Sequence, residues 1–202
     1  MPKAEIGYYV VMKQLILASG SVGRRTLLER IGHPFTVDVS NYEEDMTLDM
    51  EPEKLAIYLS KGKAEDVVTR HKNAVILAAD SFVVYKHHLL GKPHTQERAK
   101  EMLQMLSGSH HSFVTGFTII DADTGKHYSE SVRTEIFFRE LSDSEIDTYI
   151  KRDDVREKAG AYTVQGAGSA FIRRIEGDYS NIVGLPLAPV IEALRKFDIN
   201  LL

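Results

Sequence analysis

The 202-residue sequence contains no cysteine, which excludes a disulfide scaffold, a cysteine nucleophile and any thiolate metal site. It has no excess of basic residues either, because its formal net charge is −4 at pH 7. This balance disfavours a polybasic membrane binder and a general nucleic-acid coat, while leaving room for a local cationic pocket. No apolar stretch approaches the roughly 20 residues that span a bilayer. We therefore expect a soluble, cytoplasmic protein that binds neither polymeric nucleic acid nor membranes.

Several familiar catalytic motifs are also missing. The glycine-containing turn at 19–25 is not followed by the Gly-Lys-Ser/Thr of a P-loop, and it does not fit GxGxxG. No GxSxG nucleophile elbow is present. The histidines include two adjacent pairs, which diverge on a strand, and none has HExxH spacing. The histidines therefore do not predict a metal site.

The residues that are present predict one ordinary globular domain. Hydrophobic residues make up 43% of the chain and charged residues 27%. Predicted strands and helices alternate, except that two strands in the middle follow each other directly. This order indicates an α/β fold with a mixed, twisted sheet and helices on both faces. A change in character near residue 80 suggests two lobes around a central cleft.

A turn of small residues links the first predicted strand to the first predicted helix, and it reads Ser19-Gly-Ser-Val-Gly-Arg24-Arg25. Arginines in the first turn of a helix are unfavourable for its dipole, which prefers anions at that end. A bound anion would remove this penalty, because backbone amides, the Ser19 and Ser21 hydroxyls and an arginine fork together form a phosphate cradle. The other interpretation is a plain N-cap at Ser21 with solvated arginines.

Carboxylates occur at two places that suit a metal ion or a reacting water. Asp80 ends the apolar run 74–79, and ligands collect at strand ends in open α/β sheets. A partly desolvated carboxylate there is usable as a base or as a metal ligand. Glu43-Glu44-Asp45 is an acidic cluster that suits a hard cation such as Mg²⁺. Taken singly, the simpler interpretations are a turn cap at Asp80 and a solvated acidic face at 43–45.

Two lysines and one glutamine are further candidates. Lys61 and Lys63 are two residues apart on a predicted helix, so at most one of them faces a cleft. Lys92 lies in the rigid loop Gly91-Lys92-Pro93, and Gln165 lies in a glycine-punctuated segment. An amide can read a base edge because it offers both a donor and an acceptor. Each lysine alone is read as a surface charge, and Gln165 alone fits a structural turn equally well.

Taken in order, these segments resemble the Maf family of nucleoside triphosphate pyrophosphatases. The matching segments run from about Gln14 to the C-terminus in the same order and at similar spacings. We therefore expect residues 14–202 to form a single domain and residues 1–13 to be an extension outside it. The segments that carry the resemblance are Ser19–Arg25 with Leu27-Leu28, Glu43-Glu44, Lys63-Ala64, Ala79-Asp80-Ser81, Gly91-Lys92-Pro93, Leu106–His110, Ala159–Gly166 and Val183–Pro186.

The resemblance implies a fold like that of the inosine triphosphate pyrophosphatases and cleavage between the α and β phosphates of a nucleoside triphosphate. It places the proton acceptor on Asp80. The family's specificity positions in the dTTP/UTP branch fall on Gly23, Ser81 and Gln165, of which Gln165 matches. Ser81 replaces Thr and keeps the hydroxyl. Gly23 stands where the branch has an arginine, and losing a guanidinium is not a conservative change.

The predicted mechanism is metal-assisted hydrolysis of dTTP/UTP-like or modified pyrimidine nucleotides. Mg²⁺ or Mn²⁺ is expected at Glu44, Asp80 and the substrate phosphates, since a cysteine-free site with carboxylates favours these ions over zinc. Asp80, Glu44, Lys63 and Lys92 are the predicted catalytic residues. The predicted substrate contacts are Ser19, Ser21, Arg24, Arg25, Ser81 and Gln165.

The alternative is a nucleotide-binding regulator of cell division and septum formation that uses the same cleft without turnover. The four predicted catalytic residues favour the enzyme, because a pure sensor does not need them together. A homodimer is expected from the resemblance only.

Overall fold

The computed structural model describes residues 13–202. This part of the chain contains seven strands, six α-helices and two 3₁₀ helices. The strands are β1 (Gln14–Leu17), β2 (Thr36–Val37), β3 (Ala74–Tyr85), β4 (His88–Leu90), β5 (His110–Asp121), β6 (His127–Phe138) and β7 (Ile172–Glu176). The α-helices are α1 (Val22–Ile31), α2 (Pro52–Val68), α3 (Gln96–Leu106), α4 (Asp143–Arg152), α5 (Tyr179–Val183) and α6 (Leu187–Arg195). The 3₁₀ helices are Ala159–Ala161 and Gly166–Phe171.

All the strands join one mixed sheet in the order β2-β1-β3-β5-β6-β7, with β4 paired to β3. The strand β1 is parallel to both β2 and β3, whereas β3, β5, β6 and β7 pair antiparallel. The parallel part corresponds to the strand–helix alternation of the sequence, and the antiparallel part to the sequential strands in its middle. The predicted mixed sheet is therefore confirmed.

Helices cover both faces of this sheet, as β1 shows. Its residues alternate between the faces because successive side chains of a strand point to opposite sides. Leu15 and Leu17 belong to one apolar cluster with residues of α1 and α6. Ile16 packs in a different cluster with residues of α2. The fully apolar run that predicted a buried strand is thus explained by helices on both sides.

The cleft arises because the long strand β3 passes through two packing regions. On the face opposite α2, Val75 and Leu77 pack against the cluster that contains α1 and α6. Further along the strand, Val83 packs against a separate cluster built on α3 and α4. Asp80 lies between these two regions. The sequence prediction of two lobes that meet near residue 80 therefore corresponds to two apolar clusters on one continuous sheet.

Two segments differ from what their own sequences predict. The glycine-punctuated segment 158–168 predicts a loop with a short strand, and the strand is wrong, because Gly160 and Ala161 have φ values of 68° and 64° and the segment forms 3₁₀ turns instead. Segment 177–184 predicts a loop that leads into the last helix, but it contains α5, whose first amides donate to the Asp178 carboxylate. Most of the predicted extension 1–13 lies outside the described residues. None of the helices within 13–202 is long and apolar enough to cross a membrane.

Candidate active site

A cleft of about 860 Å³ opens where β3 passes between the two apolar clusters. Its size suits a ligand as large as a nucleotide. The residues that line it come from eight separate parts of the chain and include nine of the ten residues predicted from the sequence. These nine are Ser19, Ser21, Arg24, Glu44, Lys63, Asp80, Ser81, Lys92 and Gln165.

The structure does not bring the tenth predicted residue, Arg25, to this cleft. Arg25 lines a separate shallow depression with Glu29 and His33, and its Nε lies 3.7 Å from the Glu29 carboxylate. One position along a helix turns a side chain by about 100°, so adjacent arginines at the start of α1 face different sides. Arg24 therefore faces the cleft and Arg25 does not line it, so a contact of Arg25 with substrate stays a prediction that this geometry does not support.

We call Arg24, Lys63 and Asp80 the floor of the cleft, because they are only 8%, 9% and 5% exposed. The Lys63 ammonium contacts the Asp80 carboxylate and lies 2.5 Å from Oε1 of Glu44. Burial raises the pKa of Asp80, although the positive charge of Lys63 acts to lower it. Burial acts on Glu44 in the same direction, but the charge and hydrogen bond of Lys63, together with the charges of Lys92 and Arg24, outweigh it and lower the pKa of Glu44. One ammonium thus joins a buried carboxylate to a more exposed one.

Glu44 lies on a loop that is tied to α2, the helix that carries Lys63. Oδ2 of Asp66 accepts hydrogen bonds from Oγ of Ser40 at 3.0 Å and from the amide of Asn41 at 2.8 Å. The ring of Tyr42 fills the space beside Gly62, where a Cβ would lie 2.4 Å from the ring carbons. These contacts place Glu44 against Lys63 even though the two are 19 positions apart in the sequence.

Arg24 links three segments around the floor, namely the turn after β1, the strand β3 and the loop after α5. Its Nε donates to the Gly184 carbonyl at 2.8 Å, Nη1 to Oγ of Ser19 at 3.0 Å and Nη2 to Oγ of Ser81 at 2.9 Å. Oγ of Ser81 is also 2.9 Å from Oγ1 of Thr115 on β5. Burial lowers the pKa of Arg24, against the effect of the nearby carboxylates. Three donors of the guanidinium therefore bind other groups of the protein. Two of these bonds hold the hydroxyls of Ser19 and Ser81 in the cleft lining.

Gly23 lets α1 approach α5 closely. A Cβ at this position would lie 2.5 Å from the Val183 carbonyl oxygen, a distance that real Cβ atoms do not reach. Ser21, two residues before Gly23, caps the helix by accepting from the Arg24 amide. The close contact brings the loop after α5 near enough for the Gly184 carbonyl to accept from Arg24. Gly23 is thus explained by packing, which the sequence did not reveal.

We call residues 91–94 and 156–160 the outer wall of the cleft. Two backbone hydrogen bonds join these segments, from His94 to the Arg156 carbonyl and from Gly160 to the Gly91 carbonyl, both at 3.1 Å. The Lys92 ammonium lies 3.1 Å from the Glu157 carboxylate, and both side chains are more than half exposed, at 52% and 63%. The charge of Lys92 also contributes to the lowered pKa of Glu44. The outer wall therefore offers a solvated cation next to the floor.

Gln165 and Tyr162 line the cleft on the side of the outer wall. The side-chain amide of Gln165 makes no hydrogen bond within the described part of the chain. The buried Tyr162 hydroxyl lies 2.8 Å from Nε2 of His111, and burial lowers the pKa of His111 to about 3. The sequence analysis ended the matching segment Leu106–His110 one residue too early. His110 is exposed, whereas His111 holds Tyr162, which lines the cleft.

The carboxylates of Glu44 and Asp80 form a donor set that fits a hard divalent cation. Residues 13–202 contain no cluster of three or more acidic or histidine side chains arranged around a metal position. Mg²⁺, however, is commonly held by one or two carboxylates together with substrate phosphates. The oxygens of Glu44 and Asp80 both point at the Lys63 ammonium, so they already converge on one positive charge.

Sequence reasoning missed several residues of this cleft. Glu157 and Lys158 belong to the outer wall, and Thr115 fixes Ser81 from β5. Lys158 precedes the Ala-Gly-Ala-Tyr segment directly, which was the one available signal for it. Nothing in the sequence pointed to Thr115, because it meets Ser81 only through strand pairing.

Residues 14–197 match the family described as "Maf-like protein". The chain is 42% identical over 189 residues to the dTTP/UTP pyrophosphatase of Bacillus cereus (strain G9842), a match that covers 94% of this chain and 98% of the relative. The dTTP/UTP pyrophosphatase of Bacillus thuringiensis subsp. konkukian (strain 97-27) is 41% identical with the same coverage.

Solved structures were found at lower similarity. One is the nucleoside-triphosphatase / dITP/XTP pyrophosphatase from Mycobacterium abscessus, which is 14% identical, with 91% of this chain and 97% of that chain covered and a TM-score of 0.43. Another is the Ham1 protein of Staphylococcus aureus, which is 19% identical, with 61% and 72% covered and a TM-score of 0.38.

Proposed function

The chain belongs to the Maf-like protein family, and from that premise we propose that it is a nucleoside triphosphate pyrophosphatase. Such a hydrolase acts on an acid anhydride: it cleaves between the α and β phosphates and releases a nucleoside monophosphate and pyrophosphate. The relatives named as dTTP/UTP pyrophosphatases, which align along nearly the whole chain, support this reaction.

The observation that carries the proposal is the buried pair of Lys63 and Asp80, joined to Glu44, inside a nucleotide-sized cleft. A buried carboxylate with a raised pKa is a better proton acceptor than one in water. Asp80 accepts the proton of the attacking water as that water's oxygen bonds to the α-phosphorus. Lys63 keeps the ionised carboxylate in place and offers its remaining donors to the phosphates.

The phosphates are bound by groups on both sides of the cleft. The α1 N-terminus, capped by Ser21, presents backbone amides, and Ser19 presents a hydroxyl. Lys92 supplies a cation from the outer wall and stabilises the pyrophosphate as it leaves. Arg24 acts on the phosphates chiefly through Ser19 and Ser81, since its hydrogen bonds hold these hydroxyls in place.

Glu44 and Asp80 are the residues that would hold Mg²⁺ or Mn²⁺ together with the substrate phosphates. The bound cation would neutralise phosphate charge and polarise the α-phosphate. Because both carboxylates contact Lys63, the ammonium has to give up part of its contact with them when the cation binds. Activity should therefore disappear when the divalent metal is chelated and return when Mg²⁺ or Mn²⁺ is restored.

Gln165 and Ser81 are the proposed contacts to the base or its surroundings. The side-chain amide of Gln165, which makes no hydrogen bond within residues 13–202, offers a donor and an acceptor, which suits the edge of a pyrimidine such as uracil or thymine. Gly23 cannot carry a side chain at its present distance from Val183, so no charged group reaches the base from this position. We propose dTTP, UTP or a modified pyrimidine nucleotide as substrate. That the protein forms a homodimer and lies in the cytoplasm stays a prediction.

A nucleotide panel with separate detection of pyrophosphate and orthophosphate tests this function. We expect pyrophosphate and a monophosphate from UTP or dTTP in the presence of Mg²⁺. Release of orthophosphate instead would overturn the reaction type. Tight nucleotide binding without turnover would favour the alternative of a nucleotide-binding regulator.

A further inference from the structure

Lys158 is the one lysine or arginine of the cleft lining whose side chain makes no hydrogen bond or ion pair within residues 13–202. We propose that Lys158 is an additional phosphate-binding residue, which contacts the β and γ phosphates that leave as pyrophosphate. The inference rests on the proposed function for the identity of the substrate. It assigns to the outer wall a second cation besides Lys92.

The cleft lining has one more Lys or Arg side chain than it has carboxylates, and Lys158 accounts for the difference. The lining holds four Lys and Arg side chains, namely Arg24, Lys63, Lys92 and Lys158, against the carboxylates of Glu44, Asp80 and Glu157. Without Lys158 these charges cancel. A triphosphate carries several negative charges, and a lining without net positive charge would not attract it electrostatically.

The other cations of the lining are already engaged. Arg24 donates to Ser19, Ser81 and the Gly184 carbonyl, and Lys63 contacts two carboxylates. Lys92 lies 3.1 Å from Glu157. The side chain of Lys158 makes no hydrogen bond or ion pair within the described part of the chain.

One carboxylate outside the cleft is affected by the charge of Lys158. Asp154 is held by its own partner, Arg156, through bonds of 2.9 and 3.2 Å. The hydrogen bonds and charge of Arg156 lower the pKa of Asp154 more than the charge of Lys158 does. Asp154 therefore does not compete strongly with a phosphate for Lys158.

The backbone at Lys158 is fixed, so its side chain starts from a defined position. Its amide donates to the Val155 carbonyl at 3.0 Å, and its carbonyl accepts from Ala161 at 3.0 Å. The next turn is tied to the loop of Lys92 by the hydrogen bond from Gly160 to the Gly91 carbonyl. Because the α-phosphorus has to lie beside Asp80 on the floor, the end of the triphosphate extends toward cations that are less buried. Lys158 is such a cation, half-buried on the outer wall.

The test compares Lys158→Ala with Lys151→Ala, an exposed lysine that does not line the cleft. Inorganic tripolyphosphate, pyrophosphate and UMP are titrated by calorimetry, with and without Mg²⁺. We expect Lys158→Ala to weaken tripolyphosphate and pyrophosphate binding about tenfold, and to leave UMP binding unchanged. Lys158→Arg should retain most of the affinity, and Lys151→Ala should match the parent protein. In turnover, KM should rise about tenfold with little change in kcat.

Unchanged tripolyphosphate affinity in Lys158→Ala would overturn the inference, and so would an equal loss of UMP affinity, which would indicate a structural role. A parent protein that does not bind tripolyphosphate at all would overturn it as well. If the parent binds tripolyphosphate through Lys158 but hydrolyses no nucleotide, the inference stands and the proposed reaction fails.

Discussion

The floor of the cleft buries its charged side chains, whereas the outer wall leaves Lys92 and Glu157 more than half in solvent. On the floor, Arg24 and Lys63 each contact several groups and Asp80 contacts Lys63, so taking away one partner leaves a buried charge or donor unsatisfied. On the outer wall, the ion pair is screened by water and contributes little to stability. The floor is therefore suited to chemistry that needs fixed geometry, and the outer wall to contacts that exchange when substrate enters and pyrophosphate leaves.

Replacing the base on the floor is expected to have the largest effect. Asp80→Asn keeps the shape of the side chain but removes the proton acceptor, so kcat should fall on the order of 10²–10⁴-fold. The protein should stay folded, because Lys63 keeps its contact with Glu44. Pyrophosphate release is measured alongside a circular dichroism melt. Asp198→Asn, at an exposed position, is the control, and retained turnover in Asp80→Asn would remove Asp80 from the role of base.

The adjacent arginines provide a second comparison between a buried and an exposed charge. Arg24→Lys loses the fork that reaches Ser19, Ser81 and the Gly184 carbonyl, so we expect roughly 2–4 kcal/mol less stability. Arg25→Lys should change the free energy of unfolding by less than about 0.5 kcal/mol, since within residues 13–202 its side chain forms one ion pair, the exposed one with Glu29. Urea unfolding of both variants measures this difference. Equal losses of stability in the two variants would contradict the role of Arg24 in holding Ser19, Ser81 and Gly184 together.

His111, buried behind the outer wall, predicts a pH-dependent stability. Its folded pKa of about 3 lies below the ordinary value of 6.5, so the unfolded chain binds the extra proton first. Its contribution is complete above pH 6.5 and is lost as the pH falls toward 3. The loss from this one group is at most about 1.4 kcal/mol per pH unit.

The variant His111→Gln removes the titrating group and keeps a polar partner for Tyr162. Its free energy of unfolding should fall less steeply than that of the parent between pH 6 and pH 4, as urea melts at several pH values would show. His110→Gln, at the exposed neighbouring position, is the matched control. Parallel pH curves for the parent and His111→Gln would argue against a buried neutral imidazole.

The sequence predicted the parts of the site that depend on local order. Asp80 follows an apolar strand and Ser21 caps a helix, and both properties are readable from neighbouring residues. The mixed sheet was also predictable, because strand–helix alternation gives parallel pairing and consecutive strands give antiparallel pairing.

The contacts that complete the site were not predictable, because they join distant segments. Arg24 looked like a phosphate ligand, yet its acceptors Ser81 and Gly184 lie 57 and 160 positions away. Gly23 looked like a lost specificity residue, and its close contact with Val183 appears only after α1 and α5 are packed. Residue type and spacing therefore identified which residues meet, but not which hydrogen bonds and contacts each of them makes.

The smallest expected effect belongs to the exposed pair on the outer wall. Glu157→Gln removes the carboxylate that holds Lys92, so the lining becomes more positive and Lys92 is released for phosphate. KM for the nucleoside triphosphate should fall about two- to threefold at low salt, within the range of an exposed ion pair. The gain should vanish near 1 M salt, where the Debye length is about 3 Å. Glu140→Gln makes the same charge change at an exposed position outside the cleft lining and should leave KM unchanged. A salt-independent rise in KM for Glu157→Gln would mean instead that Glu157 orients Lys92, and that the outer wall is as fixed as the floor.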